Sequence, residues 1–208
     1  MTTTEWYQIL LERHVTTEVD ISEVKISRLT RRETQHPELD WEQIYKVVNS
    51  KYLSGNQTSF AMKLINNILP TKSRLFRMNI SPSSNCELCN SGAVGDLAHD
   101  LIECDYNGVV NDWIMAVLYD IDPSLINADM DSHNIVTFNL PVDSETEFAV
   151  WWFLIEVFQI VWGSRMSQKP VSLAKTKAYL NAQIQILKRS RLNHIFEQIE
   201  TAMNFVIY

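Results

Sequence analysis

Apolar residues recur at helical spacing along much of the chain, and this pattern predicts a mainly α-helical fold. In the segment 41–52, apolar side chains at positions 41, 44, 45, 48 and 52 share one helical face. A second apolar face follows, for which Thr58 or Ser59 is the expected N-cap and Pro70 the helix breaker. Further helices are predicted from Thr71 to Met78, over 108–119 and over 145–165.

The C-terminal part of the chain carries the longest amphipathic pattern. Ser172 is the expected cap of one long helix, and the apolar stripe of that helix is Leu180, Ile184, Leu187, Ile195 and Ile199. Between the helices, the segment Asn134 to Leu140 alternates apolar and polar residues and predicts a strand. The predicted fold is therefore a helical domain with at most one or two short strands.

Three cysteines and one histidine lie in one short segment of the sequence, with the spacing C-x2-C-x9-H-x4-C. The four residues are Cys86, Cys89, His99 and Cys104, and they include every cysteine of the chain. An odd number of cysteines argues against a disulfide framework. Zn²⁺ prefers four thiolate or imidazole ligands in a tetrahedron, so the spacing predicts one structural zinc ion. Free thiols beside an unrelated histidine are the alternative, which the additional H-x4-C pair disfavours.

The residues around this cluster carry a resemblance to a known family. Upstream lie Leu69-Pro70-Thr71 and Lys72-Ser73-Arg74-Leu75, the Cys and His pairs follow, and Trp113 stands nine residues after Cys104. Over about residues 40–115 this order resembles the zinc-binding region that follows the polymerase domain in non-LTR (LINE-type) retrotransposon reverse transcriptases. The resemblance implies a CCHC zinc knuckle at 86–104 with Cys86, Cys89, His99 and Cys104 as its ligands.

From the helical pattern, the cysteine cluster and the charge distribution, we expect four segments. They are a helical or extended lead-in at 1–40, a helical zinc-binding unit at 41–119, an acidic loop at 120–144 and a C-terminal helical region at 145–208. A chain of 208 residues with 46 % apolar content can bury a sizeable core as one domain or as two small ones.

The motifs of catalysis are missing from the sequence. Paired aspartates that could hold two Mg²⁺ ions are absent, because Asp120 and Asp122 have the wrong spacing and Pro123 follows them. Polymerase, endonuclease and RNase H motifs are not found, and a zinc ion with four protein ligands has no open position for water. We therefore expect no enzymatic activity. A fragment, a truncated element and a host gene derived from a retroelement all remain open.

Charge is distributed unevenly around a net value of −7, which disfavours a general nucleic-acid-coating protein. Basic residues nevertheless cluster beside the zinc motif and near the C-terminus. The candidate nucleic-acid-binding residues are Lys63, Lys72, Arg74, Arg77, Lys188, Arg189 and Arg191. Solvated helix faces are the alternative interpretation of both clusters. Phe76 and Tyr106 are the candidates for base stacking.

Two functional hypotheses arise from these patterns. The first is a non-catalytic accessory region of a retrotransposon-type reverse transcriptase, which binds zinc and positions RNA or single-stranded DNA. The second is a protein–protein interaction module, domesticated or effector-like, in which zinc is purely structural. Its partner, the polymerase domain or another protein, would bind through the helices at 148–162 and 172–205.

The apolar segments predict neither export nor membrane insertion. The run Trp6 to Leu11 is too short for a signal peptide, and Phe148 to Trp162 is interrupted by Glu156. We expect an intracellular protein of the nucleus or cytoplasm that is not secreted. Trp151, Trp152 and Trp162 are expected in the core rather than on a stacking surface.

Overall fold

The computed structural model describes residues 39–50, 53–127, 131–142, 146–188 and 193–205. The chain divides into two compact units, Met1–Trp41 and Glu42–Tyr208. Nearly all of the predicted lead-in at 1–40 lies outside the described residues, which belong almost entirely to the second unit.

Eight α-helices make up most of the described residues. They are α1 (Trp41–Val48), α2 (Gly55–Ile65), α3 (Lys72–Arg77), α4 (Gly108–Ile121), α5 (Ser132–Val136), α6 (Glu147–Ser167), α7 (Leu173–Lys188) and α8 (Asn193–Phe205). A π-helical turn at His99–Glu103 and 3-10 turns at Asp105–Asn107 and Pro123–Asn127 join them. The described residues contain no strand, only an isolated antiparallel bridge between Asn85 and Val94. The predicted mainly α fold is confirmed.

Helix α6 lies at the centre of the core. Eleven of its residues are buried, which matches a helix that is apolar on every side. Helices α2, α4, α7 and α8 pack against it, and so does the turn His99–Glu103. Trp113 of α4 meets Phe153 edge-on with ring centroids 5.5 Å apart, and Phe196 of α8 meets Trp152 at 5.2 Å. No helix of the described residues is long and apolar enough to cross a membrane.

The tryptophans of α6 are mostly core residues. Trp151 and Trp152 are at most 1 % exposed, as predicted. Trp162, nearer the end of the helix, is only partly buried. The helix therefore keeps its large aromatic rings inside the protein along its first half.

The start of α2 differs from the prediction. Ser54, not Thr58 or Ser59, caps this helix through a capping box with Gln57: the Ser54 amide donates to Gln57 Oε1 at 2.6 Å, and the Gln57 amide donates to Ser54 Oγ at 3.3 Å. The S-x-x-Q spacing of Ser54 and Gln57 is a cap signature, but it is formed by polar residues and does not appear in the apolar pattern. Thr71 caps α3 as predicted, since its hydroxyl accepts from the Arg74 amide.

The predicted strand at Asn134–Leu140 is wrong. Ser132–Val136 is helix α5, which Asp131 caps by accepting from the His133 amide. Phe138 then takes a left-handed conformation with φ of 61°, and this turns its ring and the Leu140 side chain into the core. A helical turn followed by a tight bend thus produced the alternation that indicated a strand.

The single long C-terminal helix is also wrong, because two helices, α7 and α8, pack against each other. Glu200 of α8 accepts from Gln185 at 2.8 Å and forms an ion pair with Lys188 of α7. Leu180 of α7 and Ile199 of α8 are both buried. The apolar spacing could not reveal the break, since each helix places its own stripe on the core.

Candidate metal centre

The first pair of cysteines lies on a short ribbon. The Cys86 amide donates to the Ala93 carbonyl at 2.8 Å, and the Gly95 amide donates to the Ser84 carbonyl at 2.9 Å. Gly92 closes the turn with φ of 72°, a conformation that glycine adopts without strain. This ribbon folds the C-x2-C segment back on itself and directs both cysteines to one side.

The His-x4-Cys pair lies on the π-helical turn that comes next along the chain. Asp96 Oδ1 accepts from the His99 amide at 3.0 Å, which starts the turn. The Cys104 amide donates to the His99 carbonyl at 2.9 Å, which ends it. The Asn111 side-chain amide of α4 donates to the Cys104 carbonyl at 3.3 Å and ties the turn to the helical core.

These two segments bring the four predicted ligands together. One donor atom from each of Cys86, Cys89, His99 and Cys104 lies within 4.8 Å of all the others. The Cys86 and Cys104 sulfurs are 3.8 Å apart, and the Cys89 sulfur is 3.3 Å from His99 Nε2. The cysteines are free rather than disulfide-bonded, and Cys89 alone is partly exposed. The arrangement can hold one metal ion.

Hydrogen bonds converge on the sulfurs. The Leu88 amide donates to Cys86 Sγ at 3.4 Å, and the Ser91 hydroxyl lies 3.1 Å from Cys89 Sγ. Donors placed around thiolates offset part of their negative charge and fix the direction of their lone pairs. The sulfurs are therefore held in place by the chain as well as by the shape of the turn.

Arg165, in the last turn of α6, is a residue of this site that sequence reasoning missed. Its Nη2 donates to Cys86 Sγ at 3.4 Å and forms an ion pair with Asp100. The side chains of Arg165 and Asp100 are only 7 % and 3 % exposed. Arg165 lies 79 residues after Cys86, so no local spacing could connect them. The available signal was weak: one basic residue near the end of an apolar helix.

The surroundings give the sulfurs different acidities. Burial favours the neutral Cys86 thiol, but hydrogen bonds from Arg165 and the Leu88 amide outweigh it and lower the pKa of Cys86 to about 6. Burial raises the pKa of Cys104 to about 11. Burial also raises the pKa of Asp100 to about 7, against the opposing charge of Arg165. The surroundings of Cys86 thus favour the thiolate, the form that binds a metal ion, whereas those of Cys104 favour the thiol, which must lose its proton when a metal ion binds.

The ribbon rests directly on α3. The Ser73 amide donates to the Gly95 carbonyl at 2.9 Å, and a Cβ added at Gly95 would lie 3.1 Å from Lys72 Cβ. A side chain at Gly95 would therefore require the ribbon or α3 to shift slightly. On α3, Phe76 is 47 % exposed, while Tyr106 beyond the cluster is partly buried.

The candidate nucleic-acid-binding residues are not all directed to solvent. Lys72 Nζ lies 2.5 Å from a Glu87 carboxylate oxygen, and Arg74 Nη1 donates to the Asn67 carbonyl at 2.5 Å. Lys188 is paired with Glu200 on α8. Arg77 is exposed and Lys63 is partly buried, whereas Arg189 and Arg191 lie outside the described residues.

The site is thus defined by three sulfurs and one imidazole nitrogen from one short segment, and by a guanidinium from a distant helix. Comparisons of the chain with models of known protein families, with curated proteins and with solved structures found no match.

Proposed function

We propose that the four ligands bind one structural Zn²⁺ ion. Thiolate and imidazole are the ligands that Zn²⁺ favours in closed tetrahedral sites. With Zn–S bonds of about 2.3 Å, two sulfurs of a tetrahedron lie about 3.8 Å apart, and the Cys86 and Cys104 sulfurs are 3.8 Å apart. All four positions are filled by the chain, which leaves no place for a reactive water.

Arg165 supports this assignment. Three thiolates and one Zn²⁺ leave a formal charge of about −1 on the centre. The Arg165 guanidinium, in contact with Cys86 and Asp100, places a positive charge against it in a buried position. A hydrogen bond from an ionised donor to a thiolate is stronger than one from a neutral amide. Such a partner of the ligands raises the stability of a metal site.

The wider role that we propose is that of a non-catalytic accessory module that binds single-stranded nucleic acid, as the resemblance to the reverse transcriptase region suggests. The observation that carries the proposal is the surface of α3, which the metal-binding ribbon supports and on which the consecutive residues Phe76 and Arg77 are both exposed. An exposed aromatic ring can stack on a base, and a neighbouring guanidinium can contact a phosphate.

Single-stranded RNA binding by the zinc-loaded protein tests this role, measured by fluorescence anisotropy at about 50 and about 200 mM salt. Phe76→Ala should weaken binding by about 1–3 kcal/mol, the typical value of one stacked base. Arg77→Glu should weaken binding and reduce its dependence on salt. Ile126→Ala and Lys175→Glu, which change an exposed apolar residue and a lysine away from α3, should leave affinity nearly unchanged.

A protein-interaction module is the second candidate, and the pairing of Lys72 and Arg74 within the chain favours it. Because α6 is largely covered by neighbouring helices, the predicted partner surface at 148–162 is mostly buried. We assign the partner surface instead to exposed apolar residues on or just before α3 and on the metal-binding ribbon. Ile68, Phe76 and Val94 are between 41 % and 48 % exposed. RNA that fails to bind at low salt, with zinc content and fold intact, would overturn the nucleic-acid role and leave this candidate.

A further inference from the structure

A cavity of about 400 Å³ lies between the start of α2, the middle of α6 and α7, apart from the metal centre. Its polar lining includes Gln57, Glu156, Gln159, Tyr179 and Gln183, and Trp152 forms part of its wall. Cavities of this size hold small organic molecules, and the usual lining is an apolar wall with a few polar groups. The polar groups of this cavity therefore define what it can bind.

Glu156 is the most unusual of these groups, since it is only 4 % exposed and carries a carboxyl group into the cavity. The Gln57 side-chain amide donates to it, and Tyr179 is its other hydrogen-bond partner. Both partners are uncharged. Among the described residues, no lysine or arginine forms an ion pair with Glu156.

A buried carboxylate without a cation is costly, because its charge has lost water and gained only neutral partners. Burial accordingly raises the pKa of Glu156, and the hydrogen bonds from Tyr179 and Gln57 oppose that rise only in part. Burial and the neighbouring Glu156 charge also raise the pKa of Tyr179. A cation that entered the cavity would remove this cost.

Gln159 adds to the same cavity a hydrogen-bond donor that has no acceptor among the described residues. Its Nε2 is buried and has no hydrogen-bond partner in the described part of the chain, although Gln159 lines the same cavity. Trp152, Glu156 and Gln159 are four and three residues apart on α6, so they share one face of the helix. Within the part of the chain that the structure describes, a donor without an acceptor and an acidic group without a cation thus lie beside an aromatic wall.

We propose that this cavity binds a small organic cation that also carries a neutral hydrogen-bond acceptor. Its guanidinium or ammonium group forms an ion pair with Glu156, and its acceptor oxygen accepts a hydrogen bond from Gln159 Nε2. Charged hydrogen bonds of this kind are stronger than neutral ones, so the cation supplies most of the affinity. The proposal concerns a site distinct from the metal centre and does not depend on nucleic-acid binding.

A matched pair of probes tests the proposal by isothermal titration calorimetry on the zinc-loaded chain. 4-Guanidinobutanamide carries the cation and an amide oxygen, whereas 4-ureidobutanamide has nearly the same shape without the charge. We expect the guanidino compound to bind and the ureido compound to bind at least about tenfold more weakly, since a hydrogen bond to a charged group is worth about 1.5–3 kcal/mol.

Variants locate the binding. Glu156→Gln keeps the shape of the side chain and should weaken binding of the guanidino compound at least about tenfold. Gln159→Leu should weaken it by a smaller factor, because it removes a neutral donor. Glu197→Gln makes the same charge change on an exposed part of α8 and should leave affinity unchanged.

The outcomes separate clearly. Circular dichroism and urea unfolding verify that each variant is folded, and a folded Glu156→Gln that still binds the guanidino compound overturns the proposal. Equal binding of both probes, or no binding of the guanidino compound to the unaltered chain at millimolar concentration, also overturns it.

Discussion

The metal centre and the helical core are stabilised by different interactions within one compact unit. Around α6, large apolar side chains are buried from several helices, and Phe153 is completely inaccessible to solvent. Between Cys86 and Cys104, the buried aliphatic side chains are only Leu97 and Leu101. Burial of apolar surface therefore suffices for the core, whereas the segment between Cys86 and Cys104 has little of it and could gain stability from directional bonds to a metal ion.

Helix α6 takes part in both regions. Its middle packs against Trp113 through Phe153, and its last turn directs Arg165 to Cys86 and Asp100. The difference between the regions therefore concerns the type of interaction, not separate folding units. Variants at Phe153 and at Arg165 should have different effects on zinc and on overall stability.

The largest expected effect is the loss of the metal ion. His99→Ala should release zinc and unfold the segment from about residue 82 to residue 105, because a structural zinc site supplies about 10–16 kcal/mol of apparent binding free energy. Helices α6 and α8 should persist. Zinc content measures the release of the ion, and amide hydrogen exchange measures the unfolding of the segment. Cys86→Ser should give the same two results as His99→Ala. His133→Ala is the control, and unchanged zinc content in His99→Ala would contradict the ligand assignment.

The reverse experiment is Phe153→Ala in the core. Removal of a buried phenyl ring should lower the free energy of unfolding by about 4 kcal/mol, measured by urea denaturation. Zinc should remain bound in the folded protein, since Phe153 packs against Trp113 and lies in the other half of α6 from Arg165. Phe76→Ala removes the same ring from an exposed position and should cost about 0.5 kcal/mol or less. A comparable loss in both variants would contradict the position of the core.

Arg165→Met tests the link between the regions. It leaves the buried Asp100 without its counter-ion, so Asp100 takes up a proton, and the loss of the ion pair should cost about 1–3 kcal/mol of stability. It should also weaken zinc binding about 10–100-fold, measured by competition with a chelator. Adding Asp100→Asn should change stability little, because that carboxyl is already uncharged, and should not restore the zinc affinity. A large gain in stability in the double variant would mean that Asp100 stays charged without Arg165.

The smallest expected effect is the pH dependence that Glu156 contributes. Because the pKa of Glu156 is raised above its usual value of 4.5, the folded chain holds this proton more tightly than the unfolded chain. Its contribution to stability is complete below the unfolded pKa and declines as pH rises through the folded pKa. Relative to Glu156→Gln, the unaltered chain should lose stability as pH rises above about 4.5. Urea unfolding at several pH values measures this loss of stability. The control variant Glu197→Gln should show the same pH dependence as the unaltered chain.

Prediction from the sequence succeeded where the determining interactions are local. The four candidate ligands, which the structure brings together, could be predicted because two of them share a turn and the other two share the next one. Thr71 was found as the α3 cap because capping acts over three residues. The predicted start of α2 at Thr58 or Ser59 is wrong, although the Ser54–Gln57 capping box that begins the helix is an equally local signal.

Other errors came from contacts that no short pattern contains. Apolar alternation at 134–140 reflects a bend that Phe138 makes into the core. The C-terminal pattern is divided into α7 and α8 because the two helices pack against each other and against α6, which the spacing of apolar residues does not record. A periodicity records which side of a segment is buried, but it does not record where the chain reverses.

By itself, the sequence determined the mainly helical fold and the set of donor atoms, because helical periodicity and the reach of a metal ion both act over a few residues. The tertiary structure decided that Arg165 meets Cys86 and that Glu156 lines a cavity in which no lysine or arginine of the described residues pairs with it. Both facts depend on how α6 packs against segments many residues away, and that packing is a property of the whole core rather than of any one stretch of chain.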